Sequence, residues 1–145
     1  MTKVTEFKLF LDSSAWLGYF LGNIPETKKI IDSSGNTLFT SIISIHEIYK
    51  KLETLGKTEK EKQEAMEFIE DNSIIVNLNK ETAIISAKNC LKHGLHTIDS
   101  IIYSSAMEIQ AIFVTADNDF RKLPKTIIIG MDEVEKTKKK TKKEH

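Results

Sequence analysis

Apolar residues along the chain come in short blocks separated by longer stretches of helical periodicity. Leu9, Phe10 and Leu11 form a compact run between Lys8 and Asp12, which predicts a strand that ends on a charge. A helix follows at once through Leu21, with Ser13 or Ser14 placed to cap it. Pro25 predicts the start of a second helix, ending around Ser34 and Gly35. Leu38 to Thr40 predict a short second strand. Ile45, Ile48, Tyr49 and Leu52 recur at helical spacing between Ser44 and Leu55, and Gly56 closes that helix. Thr58 and Glu61 form a capping box for a further helix to about Asp71.

The same alternation continues to the end. Ser73 to Leu78 is rich in Ile and Val and predicts a third strand, and Glu81 to His93 predicts a helix stopped by Gly94. A helix from Thr97 to Gln110, a strand from Ala111 to Thr115, a tight turn or short helix from Asp117 to Lys122 and a last strand from Thr126 to Ile129 complete the pattern. Strands separated by helices need right-handed crossovers, so the predicted class is α/β, with a mostly parallel sheet covered by helices on both faces. In such sheets the active crevice lies at the carboxyl ends of the strands.

Composition narrows the class of protein. The length of 145 residues suits one domain, and 40% hydrophobic with 29% charged residues is ordinary for a soluble globular chain. Two prolines and six glycines exclude collagen-like, linker-like and broadly disordered readings. A single cysteine, Cys90, excludes an intrachain disulfide and multi-cysteine zinc sites, and is expected to be a small buried apolar residue. The first residues lack a basic-then-apolar leader, and no apolar run reaches the roughly 18 residues of a membrane span, so the expected compartment is the cytoplasm.

The formal net charge of zero averages two unlike parts. Six lysines and one acid between Lys136 and His145 give a net +5, so the preceding 135 residues carry −5. A tail of that kind can grip phosphates through counterion release or simply be solvated.

Four acids stand where the predicted crevice should be. Asp12 follows the first strand and Asp117 follows Ala111–Thr115. Glu47 and Asp99 open helices whose starts should lie at the same edge. Each has a simpler structural reading. Asp12 can end a strand and cap a helix. Ser44-x-x-Glu47 has the form of a capping box, and a helix dipole favours Asp99. One of Asp117 and Asp119 can cap the turn into Phe120. Together, however, the acids are costly. At an effective dielectric near 20, two carboxylates about 4 Å apart repel by roughly 4 kcal/mol. A fold that gathers them must raise their pKa values or bind a cation, and hard oxygen donors suit Mg²⁺ or Mn²⁺.

The stretches Leu11-Asp12-Ser13-Ser14, Ser44-Ile45-His46-Glu47-Ile48, Thr97-Ile98-Asp99-Ser100-Ile101-Ile102 and Thr115-Ala116-Asp117-Asn118-Asp119-Phe120 occur in that order. Their acids are separated by 35, 52 and 18 residues. In this the chain resembles the PIN-domain ribonucleases, most closely the small VapC-like toxins of type II toxin–antitoxin pairs, over about residues 7 to 130. The resemblance implies a PIN-like three-layer α/β/α sandwich spanning residues 1–131, followed by a Lys-rich, mobile tail at 132–145. It implies that Asp12, Glu47, Asp99 and Asp117 are catalytic, metal-binding carboxylates for Mg²⁺ or Mn²⁺. Asp119, Thr115, Ser13 and Ser14 would support them. The implied reaction is metal-dependent endonucleolytic hydrolysis of RNA by water, leaving a 5′-phosphate and a 3′-hydroxyl. A small antitoxin and a homodimer are the implied protein partners.

Other readings follow from the same residues. A PIN-type RNA-processing nuclease without an antitoxin keeps the chemistry. A non-catalytic binding module of the same fold loses it. A receiver-like phosphoacceptor lacks its second acid at the first strand and its lysine after the last. His46, His93 and His96 read as surface, core or helix-end residues rather than catalysts. Trp16, Tyr19 and Phe20 read as core or dimer surface. Lys50, Lys51, Arg121 and Lys122 are the candidates for contacts to a nucleic-acid backbone beside the acids.

Overall fold

The computed structural model describes residues 6–130 of the chain. The expected boundary at 131–132 and the Lys-rich tail lie outside the described residues. Five strands and six helices alternate: β1 (Phe7–Leu11), α1 (Ser13–Phe20), α2 (Pro25–Asp32), β2 (Asn36–Ser41), α3 (Ile42–Thr54), α4 (Glu59–Asn72), β3 (Ile74–Val76), α5 (Lys80–His93), α6 (Thr97–Glu108), β4 (Ile112–Thr115) and β5 (Thr126–Ile128), with a single 3-10 turn at Asn118–Phe120 between the last two strands. The sheet order is β3-β2-β1-β4-β5 and every neighbouring pair is parallel. The expectation of a mostly parallel sheet is met by a wholly parallel one.

The period of two along each strand sorts side chains into two cores. Leu9, Leu11, Leu38 and Val114 join Trp16, Ile31, Ile48, Leu52 and Ile69 beneath α1 to α4. Phe10 and Phe113 join Ile102, Tyr103, Ala106 and Phe120 on the face covered by α6. That is the expected three-layer arrangement. Trp16 is fully buried, and its indole N–H donates to the Thr40 hydroxyl across 3.0 Å, which pins α1 to β2. Tyr19 and Phe20 pack with Phe68 of α4, so the aromatic stripe of α1 is largely core.

Helix ends follow local chemistry in most places. Thr58 and Glu61 make the predicted capping box on α4. Gly94 ends α5 in the left-handed region at φ +67°, where a Cβ would be strained. Three expectations are corrected. Helix α1 begins at Ser13 and its cap is Asp12, whose side chain accepts from the Ala15 N–H, so neither serine is the cap. Helix α3 begins at Ile42 under the Ser41 cap, so Ser44 lies inside it and no Ser44–Glu47 capping box exists. Pairing of β2 with β3 ends at Ser41, opposite Val76, and the Ser41 hydroxyl accepts from the Ile43 N–H, so the helix follows the strand at once. Cys90 is only half-buried: it continues the inward stripe of Thr82 and Ser86, but in the last turn of α5.

The chain leaves β1, builds β2 and β3 to one side, and returns to place β4 on the other. The carboxyl ends of β1 and β4 therefore flank the point where the strand order reverses, where open parallel sheets leave a crevice.

Candidate functional site

Asp12 is the first residue beyond β1, and its N–H still donates to the Val114 carbonyl of β4 across 3.1 Å. The register Leu11↔Val114 then brings Thr115 alongside it. The side chain is buried at 6% exposure and both carboxylate oxygens are engaged. Oδ1 accepts from the Ser14 hydroxyl at 2.6 Å and from the Ala15 N–H at 3.1 Å; Oδ2 accepts from the Thr115 hydroxyl at 2.6 Å. Burial pushes this carboxyl up from its ordinary 3.8 to about 6. The hydrogen bonds from Ser14, Thr115 and Ala15 pull it down, and the charge of Asp117 pushes it up again.

Ser14 and Thr115 extend this cluster across the two strands. Ser14 Oγ accepts from the Ala116 N–H at 2.8 Å, and Thr115 Oγ1 accepts from the Asp117 N–H at 3.0 Å. Asp117 caps the short 3-10 turn, accepting the Asp119 N–H at 2.9 Å. The sequence reading favours Asp117 as the ligand and so leaves the cap of the turn to Asp119. The structure gives that role to Asp117, half-buried, and leaves Asp119 exposed.

Glu47 and Asp99 come from the helical side. Glu47 lies in the second turn of α3 and is half-buried; burial raises its pKa first, the Ser13 hydroxyl lowers it, Asp99 raises it and His46 lowers it. Asp99 lies in the first turn of α6. Burial raises its pKa, followed by the charge of Asp117, while His96 lowers it and Asp119 raises it. The four predicted acids are thus one electrostatic community: Glu47 feels Asp99, Asp99 feels Asp117, and Asp12 feels Asp117.

The two candidate serines divide the work. Ser14 serves Asp12 and the strand ends, whereas Ser13 serves Glu47. His96 stands at a helix end, as the sequence reading has it, but its charge bears on Asp99 from the position preceding α6, which that reading did not foresee. Its place immediately before Thr97-Ile98-Asp99 was the available signal. His46 is exposed and His93 packs edge-on against Tyr103, so both keep the structural roles expected of them.

The donor set suits a hard divalent cation. It consists of oxygens only, and each of Asp12, Glu47 and Asp99 is shifted toward protonation by burial and by a neighbouring acid, a penalty that positive charge removes. Among the described residues no three such side chains close around one ion as they stand.

Comparison with known proteins places this geometry. The PIN domain profile matches residues 9–126. No curated protein sequence matches the chain. Among solved structures, a toxin–antitoxin complex from Klebsiella pneumoniae superposes with a TM-score of 0.71 at 18% identity, over 82% of this chain and 95% of that one. VapBC2 from Rickettsia felis, bound to a DNA fragment from its promoter, gives 0.68 at 16% identity over 84% and 97%. Mycobacterium tuberculosis VapC20, a toxin that cleaves the sarcin–ricin loop, gives 0.66 at 13% identity over 80% and 95%. At these identities the likeness is one of fold.

Proposed function

The chain belongs to the PIN-domain family, and from that premise we propose that it is a divalent-metal-dependent endoribonuclease serving as the toxin of a toxin–antitoxin pair. The observation that carries the reading is the electrostatic coupling of Asp12, Glu47, Asp99 and Asp117 at the carboxyl edge of a parallel sheet. A purely structural set of acids has no reason to converge there, since each raises the cost of its neighbour.

Asp12, Glu47, Asp99 and Asp117 would hold Mg²⁺ or Mn²⁺. When bound, such an ion supplies charge neutralisation and Lewis acidity for attack of water at phosphorus. The residues themselves do three things. Thr115 and Ser14 hold both Asp12 oxygens in one orientation, so the carboxylate is positioned before any substrate arrives. Ser13 steadies Glu47 from α1. Asp117, braced by the Thr115 hydroxyl and the Asp119 N–H, links the strand side of the site to Asp99. No residue is required to form a covalent bond to the substrate.

Several structural neighbours are toxin–antitoxin complexes, which supports a protein partner for this chain; that the partner is small and covers the acids, and that the toxin forms a homodimer, are parts of the proposal. Among the described residues no helix is long and apolar enough to cross a membrane; the proposed substrate is RNA of the cytoplasm. The test is incubation with a mixed cellular RNA pool in Mg²⁺, Mn²⁺ or chelator, followed by mapping of ends. Cleavage that needs the metal, leaves 5′-phosphates and disappears in Asp12→Asn supports the proposal. Cleavage that survives chelator or that substitution would overturn it.

A further inference from the structure

A cavity of about 480 Å³ opens directly beside Glu47, a volume in the range of small-ligand sites. One wall is a single stripe of α3, on which Ile43, Glu47, Lys50 or Lys51, and Thr54 follow at intervals of three and four residues. The other wall is Ile98 of α6, a large apolar side chain 43% exposed next to Asp99. The cavity is therefore continuous with the acid cluster through Glu47, cationic along one side and apolar at Ile43 and Ile98.

The two amines are exposed and uncommitted. Glu47 precedes Lys50 by three residues and Lys51 by four, the spacing that favours helix-surface ion pairs. Yet among the described residues neither lysine forms an ion pair. Glu47 instead takes the Ser13 hydroxyl as its hydrogen-bond partner, within reach of the Asp99 charge. Elsewhere on the same helix the opposite choice is made: Glu53 is paired with Lys62, whose amine also bonds Glu59. A polyanion approaching four clustered acids on a chain body of net −5 needs a local source of positive charge.

We propose that this cavity receives the nucleotide flanking the scissile phosphodiester of a single-stranded RNA, with its phosphate on Lys50 and Lys51 and its base against Ile43 and Ile98. The inference rests on the ribonuclease reading of the neighbouring acids and names where the substrate lies.

Binding of a fluorescein-labelled single-stranded RNA is followed by anisotropy in chelator, so that cleavage plays no part. Each lysine lost from a phosphate contact should flatten the dependence of log affinity on log salt by about 0.7. For Lys50→Ala/Lys51→Ala the slope should therefore fall by about 1.4, so that the wild-type chain loses about sevenfold more affinity between about 50 and 200 mM salt than the variant does. Alanine is well tolerated at exposed helix positions, so the variant should fold. Lys28→Ala/Lys29→Ala on α2 serves as the control and should leave the slope in place. An unchanged slope in the Lys50/Lys51 variant, an equal fall in the control, or no RNA binding by the wild-type chain overturns the proposal. So does a change in oligomeric state without a change in slope, which would make the cavity a contact between copies. Cleavage by the wild-type chain is scored separately. A chain that cleaves RNA with an unaltered slope in the variant keeps its ribonuclease function and loses this subsite. One that binds with the altered slope but never cleaves does the reverse.

Discussion

The strand side and the helix side of the acid cluster are built differently. Asp12 is buried, both its oxygens are hydrogen-bonded, and the groups that hold it also tie β1 to β4. Glu47 and Asp99 are half-buried, raised by burial and by neighbouring acids, with the Ser13 hydroxyl and His96 as their moderating neighbours. One half of the site is thus part of the fold's own polar scaffolding, and the other is mounted on helix surfaces that open onto the Lys50–Lys51 cavity. Substitutions on the strand side should therefore register in both stability and activity, and those on the helix side in activity alone.

The largest expected effect is on cleavage. Asp12→Asn and Glu47→Gln should each lower RNA cleavage by about 10²-fold or more, in line with the loss of a preorganised electrostatic group. Their stabilities should differ. At about pH 7 the metal-free Asp12→Asn chain should melt at or above the wild-type temperature, because asparagine keeps the cap and removes a charge that is costly to bury. Asp12→Ala, which loses the cap and strands the Thr115 hydroxyl, should melt lower. Glu47→Gln should hardly move the melting temperature. A fall in Asp12→Asn as deep as in Asp12→Ala would make Asp12 a structural residue first.

Next comes the pH dependence of stability. The folded pKa of Asp12 lies above its unfolded value, about 6 against 3.8, so between these values the folded chain binds more protons than the unfolded one. Stability of the metal-free protein should accordingly fall as pH rises through that window, by up to roughly 3 kcal/mol for this one group. Urea midpoints of the wild-type chain and Asp12→Asn, measured across the window, should converge at its acid end and separate at its upper end in favour of the variant. Parallel curves would mean that Asp12 is not the group responsible.

Smaller effects separate the supporting hydroxyls. Thr115→Val removes the donor to Asp12 and the acceptor of the Asp117 N–H, and should cost about 1–3 kcal/mol in urea unfolding, with Thr115→Ser restoring most of it. Ser14→Ala should cost about 1 kcal/mol through the Ala116 N–H and Asp12. Ser13→Ala should cost less than either. Its signature should be an acid limb of the pH–activity profile moved upward, because Glu47 loses the donor that lowers its pKa. Equal stability losses at Ser13 and Ser14 would erase the contrast between the two sides.

Much of this was legible in the chain itself. Short continuous apolar runs and helical spacing are local properties, so the succession of strands and helices could be read from them, as could the Thr58–Glu61 box and the Gly94 stop. Asp12, Asp117 and Asp99 could be found because they sit at strand ends or a helix start, and α/β topology makes those positions meet; Glu47, in the second turn of α3, was placed one turn too near its helix start. The acids' partners could not be found. Ser13 and Ser14 are adjacent and chemically identical, and only the approach of β4 from one side and α3 from the other assigns the second to Asp12 and the first to Glu47.

The false capping box shows the same boundary from another direction. By local chemistry Ser44-x-x-Glu47 is a better helix start than Ser41. In the fold β2 ends paired at Ser41↔Val76 and the helix starts there, three residues earlier, so that Glu47 falls in its second turn within reach of the Asp99 charge. What residue order alone determined was which elements form and which carboxylates stand at their ends, because those depend on neighbours a few positions away. How buried each acid is, which hydroxyl holds it and which lysines stay unpaired beside it depended on segments up to a hundred residues apart, and only the packed sheet could decide them.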